Sequence, residues 1–225
     1  MTGAGMMDCR KALTENNGDI EAAIDWLRKK GQKVAALRGD RDAKEGVVLA
    51  KTTADNKTGI TLCLSCETDF VSKNDDFIAF AQSIMDAAIA NNVNSAEELN
   101  AQEINGAKIA DLVNDKLASI GEKIGVSKFE RIDAAFVSSY IHGANRMGVL
   151  VGLNEVLPEV GKDIAMQIAA MNPVAVDQND VTPEIIEKEM EGYELFSMNP
   201  VHSGKPKEGL NTYGDTVGMI LTFKK

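Results

Sequence analysis

Between Ile60 and Ala88 the apolar spacing of this chain changes period, and the change falls on Thr68-Asp69-Phe70-Val71. The run Ile60-Thr61-Leu62-Cys63-Leu64-Ser65-Cys66 alternates apolar with small polar residues, the period-two pattern of a half-buried strand. Phe77, Phe80, Ala81, Ile84 and Ala88 then recur at helical spacing, which predicts a helix from about Asn74 to Ala90. Ser72-Lys73-Asn74-Asp75 has the Ser-x-x-Asp form of a capping box, and Asp75 and Asp76 suit the positive end of that helix. A strand feeding a helix restricts the chain to a mixed fold class. It also sets an acid and a large ring at a junction, where positioned side chains often carry function. Phe70 there either acts as a wedge or tucks under the helix, and on residue type alone burial is the expectation.

The remaining segments extend the mixed pattern. Met6, Cys9, Ala12 and Leu13 form a first apolar stripe, and Asn16-Asn17-Gly18-Asp19 breaks it. Ile20, Ala23, Ile24 and Leu27 form a second stripe before Gly31, with Asp19 as its N-cap. Met7 and Trp26 lie off these stripes, either exposed to a partner or covered by the neighbouring helix. Two such helices need a third element, expected at Gln32–Arg38 or before Met1. Val47–Ala50 and Ile60–Cys66 flank Asn56-Lys57-Thr58-Gly59, a turn suited to an antiparallel hairpin. Residues 91–102 read as loop with a helical turn at Ala96–Leu99, and Ile109, Leu112, Val113, Leu117 and Ile120 as a helix ended by Gly121.

A second strand-rich section follows at Phe129–Ala135, Phe136–Ile141 and Val149–Leu153, with His142-Gly143 beginning the connection between the last two. Val160, Ile164, Ile168 and Met171 then line a helix closed by Asn172-Pro173. Thr182-Pro183-Glu184 restarts another helix, Met198–Asn211 reads as loop, and Val217–Phe223 as a last strand. Helices followed by two successive sheet-plus-helix units make this an α+β protein with no Gly-rich phosphate loop of its own.

Composition narrows the function classes. At 225 residues with 44% hydrophobic content, the chain can bury a sizeable core as one large domain or two small ones. No apolar run approaches the roughly 18 residues of a membrane span, and no signal-peptide layout opens the chain, so a cytoplasmic protein is expected. A formal net charge of −10 argues against direct nucleic-acid binding and favours a protein partner. Two histidines and three cysteines leave little for a transition-metal site. Cys63 and Cys66 form a Cys-x-x-Cys, but inside an alternating strand they face opposite sides of the sheet, and structural cysteines are the default.

Three segments carry a resemblance to a known family. They are Thr2-Gly3-Ala4-Gly5-Met6-Met7-Asp8-Cys9 with Lys11-Ala12-Leu13 and Asn17-Gly18-Asp19-Ile20; Cys66-Glu67-Thr68-Asp69-Phe70-Val71; and Ser139-Tyr140, His142-Gly143, Gly148-Val149-Leu150-Val151 and Asp163–Ala170. In order and length these motifs resemble bacterial elongation factor Ts, the guanine-nucleotide exchange factor of elongation factor Tu, over roughly residues 2–190. The resemblance implies a small ubiquitin-associated-like helical domain with its linker over 1–43, followed by a core of two antiparallel-sheet-plus-helix subdomains, 44–134 and 135–225. It implies no enzyme chemistry, no cofactor, and elongation factor Tu as partner in its GDP-bound and nucleotide-free states, without a membrane or direct nucleic-acid contact. By the same resemblance Met6 and Met7 touch the partner's nucleotide-binding domain, and Asp69 and Phe70 insert near its magnesium and nucleotide site. Ile120 and Gly121 support that contact, and His142 lies near the same interface. Relative to the family pattern the amino-terminal domain is expected to lack its first helix, and the carboxy-terminal end to be atypical beyond Glu189, apart from the familiar Ser203-Gly204-Lys205-Pro206-Lys207-Glu208.

Three functional readings follow from these residues. An exchange factor uses Phe70 as a wedge; a pure binding module recognises a protein through Met6, Met7 and Trp26; a thiol enzyme uses Cys63 and Cys66. The resemblance favours the first and reverses the expectation of burial for Phe70.

Overall fold

The computed structural model describes residues 5–173, 175 and 220–224. Helices and antiparallel sheet alternate in an α+β arrangement. Two compact units divide the chain, one taking residues up to Val47 and Leu62–Phe129, the other Val48–Thr61 and the chain from Glu130. The division falls inside three strands, β1 (Glu45–Thr52), β2 (Thr58–Cys66) and β5 (Gly125–Asp133), which form a sheet in the order β1-β2-β5.

In the first unit, α1 (Met6–Glu15) and α2 (Ile20–Leu37) are separated by a turn in which Asn17 and Gly18 take positive φ. Asp19 Oδ1 accepts the Ala22 N–H at 3.0 Å, the capping bond its position predicts. The stripes are narrower than their spacing indicates. Ala12 and Ala23 are buried, whereas Met6, Leu13 and Ile20 stay exposed. Gly31 does not end α2, which continues to Leu37. A Cβ at Gly31 would stand 3.0 Å from that of Ala118 on α6 (Ile109–Ile120), so this glycine permits close approach of two helices. Helix α6, distant in sequence, thus packs against α2, while Gln32–Leu37 continue α2 itself and form no separate third element.

Past β2, the short α3 (Asp69–Ser72) precedes α4 (Asp75–Ala90). Ser72 does not cap α4. It lies inside α3 and donates to the Asp69 carbonyl, while Asn74, extended at φ −75° and ψ 130°, accepts the N–H groups of Asp76 and Phe77. Asparagine stands immediately before the first helical residue, where its short carbonyl reaches the second and third N–H groups, a bond set worth about 1 kcal/mol. Phe77, Ala81, Ile84, Met85 and Ala88 form the buried face, and Phe80 lies at its edge with the Lys116 ammonium 5.5 Å from its ring centroid.

Helix α5 (Ala96–Ala101), capped by Ser95, occupies the segment read as loop with a helical turn. It leads into a two-stranded hairpin, β3 (Glu103–Ile104) and β4 (Ala107–Lys108). Asn105 and Gly106 turn it with φ of 54° and 80°, the type I′ signature of an Asn-Gly pair. That signal was in the sequence and marks a hairpin not expected there.

The second unit is built on an antiparallel sheet ordered β6 (Phe136–His142), β7 (Met147–Leu153), β8 (Ile220–Lys224). Strand β7 is buried along its whole length, as a central strand covered on its faces must be. Helix α7 (Pro158–Met171) packs on β6 and β7 through Ile164, Ala165, Ile168 and Ala169, with Val160 half-buried beside them. Met171, assigned to that face by spacing, is exposed: it is the last residue of the helix, which ends on Asn172 at φ 47°. The expected helix at Thr182, the loop at 198–211 and residues 217–219 of the expected strand lie outside the described residues.

Candidate partner-binding site

The junction between β2 and α3 turns the chain outward. Thr68 is extended, at φ −123° and ψ 153°, and α3 then runs for four residues. That single turn presents Phe70 with 84% of its surface exposed, so the burial expected from residue type alone does not occur. No fold-stability argument explains a phenylalanine kept in water. Asp69 is half-exposed and accepts a 2.6 Å ion pair from Lys73, one helical turn on. Its carboxylate therefore steadies the short helix.

Glu122 holds the base of this turn. Its Oε2 accepts the backbone N–H groups of Glu67 at 3.1 Å and Thr68 at 3.0 Å, and its Oε1 accepts the Thr68 hydroxyl at 2.7 Å. The reach of Glu122 follows from Gly121. This residue ends α6 at φ 79° and ψ 17°, a left-handed conformation that glycine adopts without strain. Ile120, the last helical residue, is 37% exposed. Glu67 completes the arrangement from the other side, its Oε1 accepting the Lys123 N–H and the Arg38 guanidinium, each at 2.6 Å. Lys123 Nζ in turn donates to the carbonyls of Gly39 at 2.7 Å and Arg41 at 3.0 Å, tying the segment after α2 to the same place.

The backbone bond from Lys123, followed by the Arg38 hydrogen bond, holds the Glu67 carboxyl below the usual glutamate range. A lowered native pKa means that this stabilisation is complete above the unfolded value, about 4.3, and is lost as pH falls through the native one. The Lys123 amide proton is accordingly expected to titrate in NMR spectra with a midpoint below about 4.3. A midpoint at or above that value would show that the two bonds do not favour the ionised carboxylate.

The other expected site residues lie elsewhere. Met6 and Met7 are 86% and 73% exposed on α1, and the neighbouring Asp8 is paired with Lys30 of α2 at 2.5 Å. Trp26 is half-buried, with the Lys11 ammonium 5.9 Å from its ring centroid. His142 belongs to the second unit, where it ends β6, exposed, with Nδ1 3.0 Å from the Tyr140 hydroxyl. Both Cys63 and Cys66 are buried, which removes the thiol-enzyme reading, since a reactive thiolate needs access to its substrate. Among the described residues no group of acids, cysteines and histidines could hold a metal ion.

Structure thus joins Asp69 and Phe70 to Ile120 and Gly121 through a residue that spacing did not single out, Glu122, together with Glu67, Lys123 and Arg38. Position relative to Gly121 was the available signal for Glu122, since an acid follows the helix stop directly. Nothing in one sequence ties it to Thr68.

Residues 67–213 match the family model described as Elongation factor TS. Elongation factor Ts of Christiangramia forsetii is 48% identical over 227 residues, spanning 100% of this chain and 80% of that protein. The protein of the same name from Amoebophilus asiaticus is 44% identical over 229 residues, 100% of this chain and 81% of its own length. That of Flavobacterium psychrophilum is 45% identical over 194 residues, 85% of this chain and 70% of its own length.

Proposed function

The chain belongs to the elongation factor Ts family, guanine-nucleotide exchange factors of elongation factor Tu, and on that premise we propose that Phe70 inserts into the partner and disturbs its magnesium and nucleotide site. One observation carries the reading: a phenylalanine 84% exposed at the head of a short helix whose base is held by hydrogen bonds to Glu122. Asp69 keeps the tip helical through Lys73, and the magnesium ion and GDP belong to the partner. The factor makes and breaks no covalent bond. It acts by binding the nucleotide-free partner better than the nucleotide-bound one, and linkage makes that weakening mutual.

Magnitudes require more than the tip. A thousandfold weakening of nucleotide corresponds to about 4 kcal/mol of coupling, whereas burying one phenylalanine contributes about 1.5–3 kcal/mol. The exposed Met6 and Met7, on a ubiquitin-associated-like domain over 1–43, supply a second contact with the partner's nucleotide-binding domain. His142 supplies another from the carboxy-terminal part of the core, in which 44–134 and 135–225 act as two subdomains. No helix among the described residues is long and apolar enough to cross a membrane.

The test is stopped-flow release of fluorescent GDP from elongation factor Tu on mixing with this chain. Accelerated release that saturates with factor concentration is expected. Binding without acceleration would replace this reading with that of a binding module working through Met6 and Met7.

A further inference from the structure

Exposed apolar rings are mobile unless something fixes the backbone beneath them, and the base of the Phe70 turn is fixed in an unusual way. Two segments, 67–68 and 122–123, hold one another by exchanging carboxylates. The Glu122 side chain accepts both N–H groups of Glu67 and Thr68, and the Glu67 side chain accepts the N–H of Lys123. From these crossed contacts we infer that Glu122 is a positioning residue for nucleotide exchange: it aims the Phe70 tip without touching the partner, and so sets the rate of nucleotide release within the complex more than the affinity of docking.

Several features favour this assignment. Glu122 is half-buried beneath the turn, and its two oxygens take three donors from residues 67 and 68, immediately before Asp69 and Phe70. Hydrogen bonds to an ionised acceptor are roughly twice as strong as neutral ones, and an oriented backbone N–H pair leaves little freedom in the peptide plane that launches α3. The left-handed Gly121 is what allows α6 to stop and deliver Glu122 to that place. Ile120 and Gly121 thereby act on the tip through the residue that follows them. Arg38 braces Glu67 from the segment after α2, and Lys123, which donates its N–H to Glu67, is itself tied to that segment through the carbonyls of Gly39 and Arg41.

This inference rests on the exchange reading, and the experiment separates the two. Full-length Glu122→Ala and Glu122→Gln are compared with the parent chain in stopped-flow GDP release over a range of factor concentrations, giving a maximal rate and a half-saturating concentration. Alanine is expected to lower the maximal rate about tenfold with half-saturation moving less than about threefold, and glutamine, whose amide oxygen still accepts an N–H, to recover about a third of the lost rate. Hydrogen exchange of the Glu67 and Thr68 amides is expected to accelerate at least about tenfold in the alanine variant, with α4 and α7 unchanged. A parental maximal rate in Glu122→Ala, a loss confined to half-saturation, or unaltered exchange at both amides each overturns the assignment. A parent chain that does not accelerate release overturns the exchange reading instead, and amide exchange at 67 and 68 then still reports whether the clasp holds the turn.

Discussion

Replacing Phe70 by alanine is expected to slow factor-stimulated GDP release from elongation factor Tu by about 10- to 100-fold and to leave the thermal midpoint of the chain unchanged. Both halves of this result follow from one number. Phe70 is 84% exposed, so its ring contributes almost nothing to the buried core, and truncation leaves no cavity. The same ring, once enclosed by a partner, gains about 1.5–3 kcal/mol of apolar burial, and each 1.4 kcal/mol corresponds to a factor of ten. Residual stimulation is expected, since on the proposed reading Met6 and Met7 offer a second contact. Two measurements decide the matter, stopped-flow release and a circular-dichroism melt. A large drop in the melting midpoint would mean that the ring is part of the fold, and an unchanged release rate would remove Phe70 from the mechanism.

Phe77 provides the opposite outcome within one helical junction. It is 1% exposed at the start of α4 and belongs to the buried face with Ala81, Ile84 and Met85. Phe77→Ala is expected to lower stability by about 3–5 kcal/mol, from the lost transfer energy together with the cavity left behind. Against a usual total of about 5–15 kcal/mol, that is a large share. Urea denaturation followed by fluorescence and circular dichroism measures it. Where the variant remains folded at 25 °C, its maximal release rate should stay near the parental value, since Phe77 lies on the other side of the Asn74 cap from the tip. A loss below about 1 kcal/mol would show that the site collapses around the missing ring or was loosely packed.

Comparing the two phenylalanines shows how far the chain could be understood before its structure. Helix α4 was legible, since Phe77, Ala81, Ile84 and Ala88 keep helical spacing and Asp75 and Asp76 mark its start. So was the end of α6, because a glycine passes without strain into the left-handed conformation that Gly121 adopts. The cap was misread by two residues. Ser72 and Asn74 carry similar capping chemistry, and only the backbone path chose between them. Gly31 was also misread, because a glycine that stops a helix and a glycine that lets another helix approach look alike in one dimension.

Local chemistry, then, determined the elements: period-two and helical apolar spacing, turn residues, and the motifs Thr68-Asp69-Phe70-Val71 and Met6-Met7 that point to the family. These depend on residues close together in the chain, so they can be read from it. Tertiary structure alone decided which apolar residues were left in water and what stood beneath them. Phe70 and Phe77 are the same side chain, and only packing separates the exposed tip from the core anchor. Glu122 reaches Thr68 across more than fifty positions of sequence, and a hydrogen bond of that separation leaves no local period or spacing by which to find it.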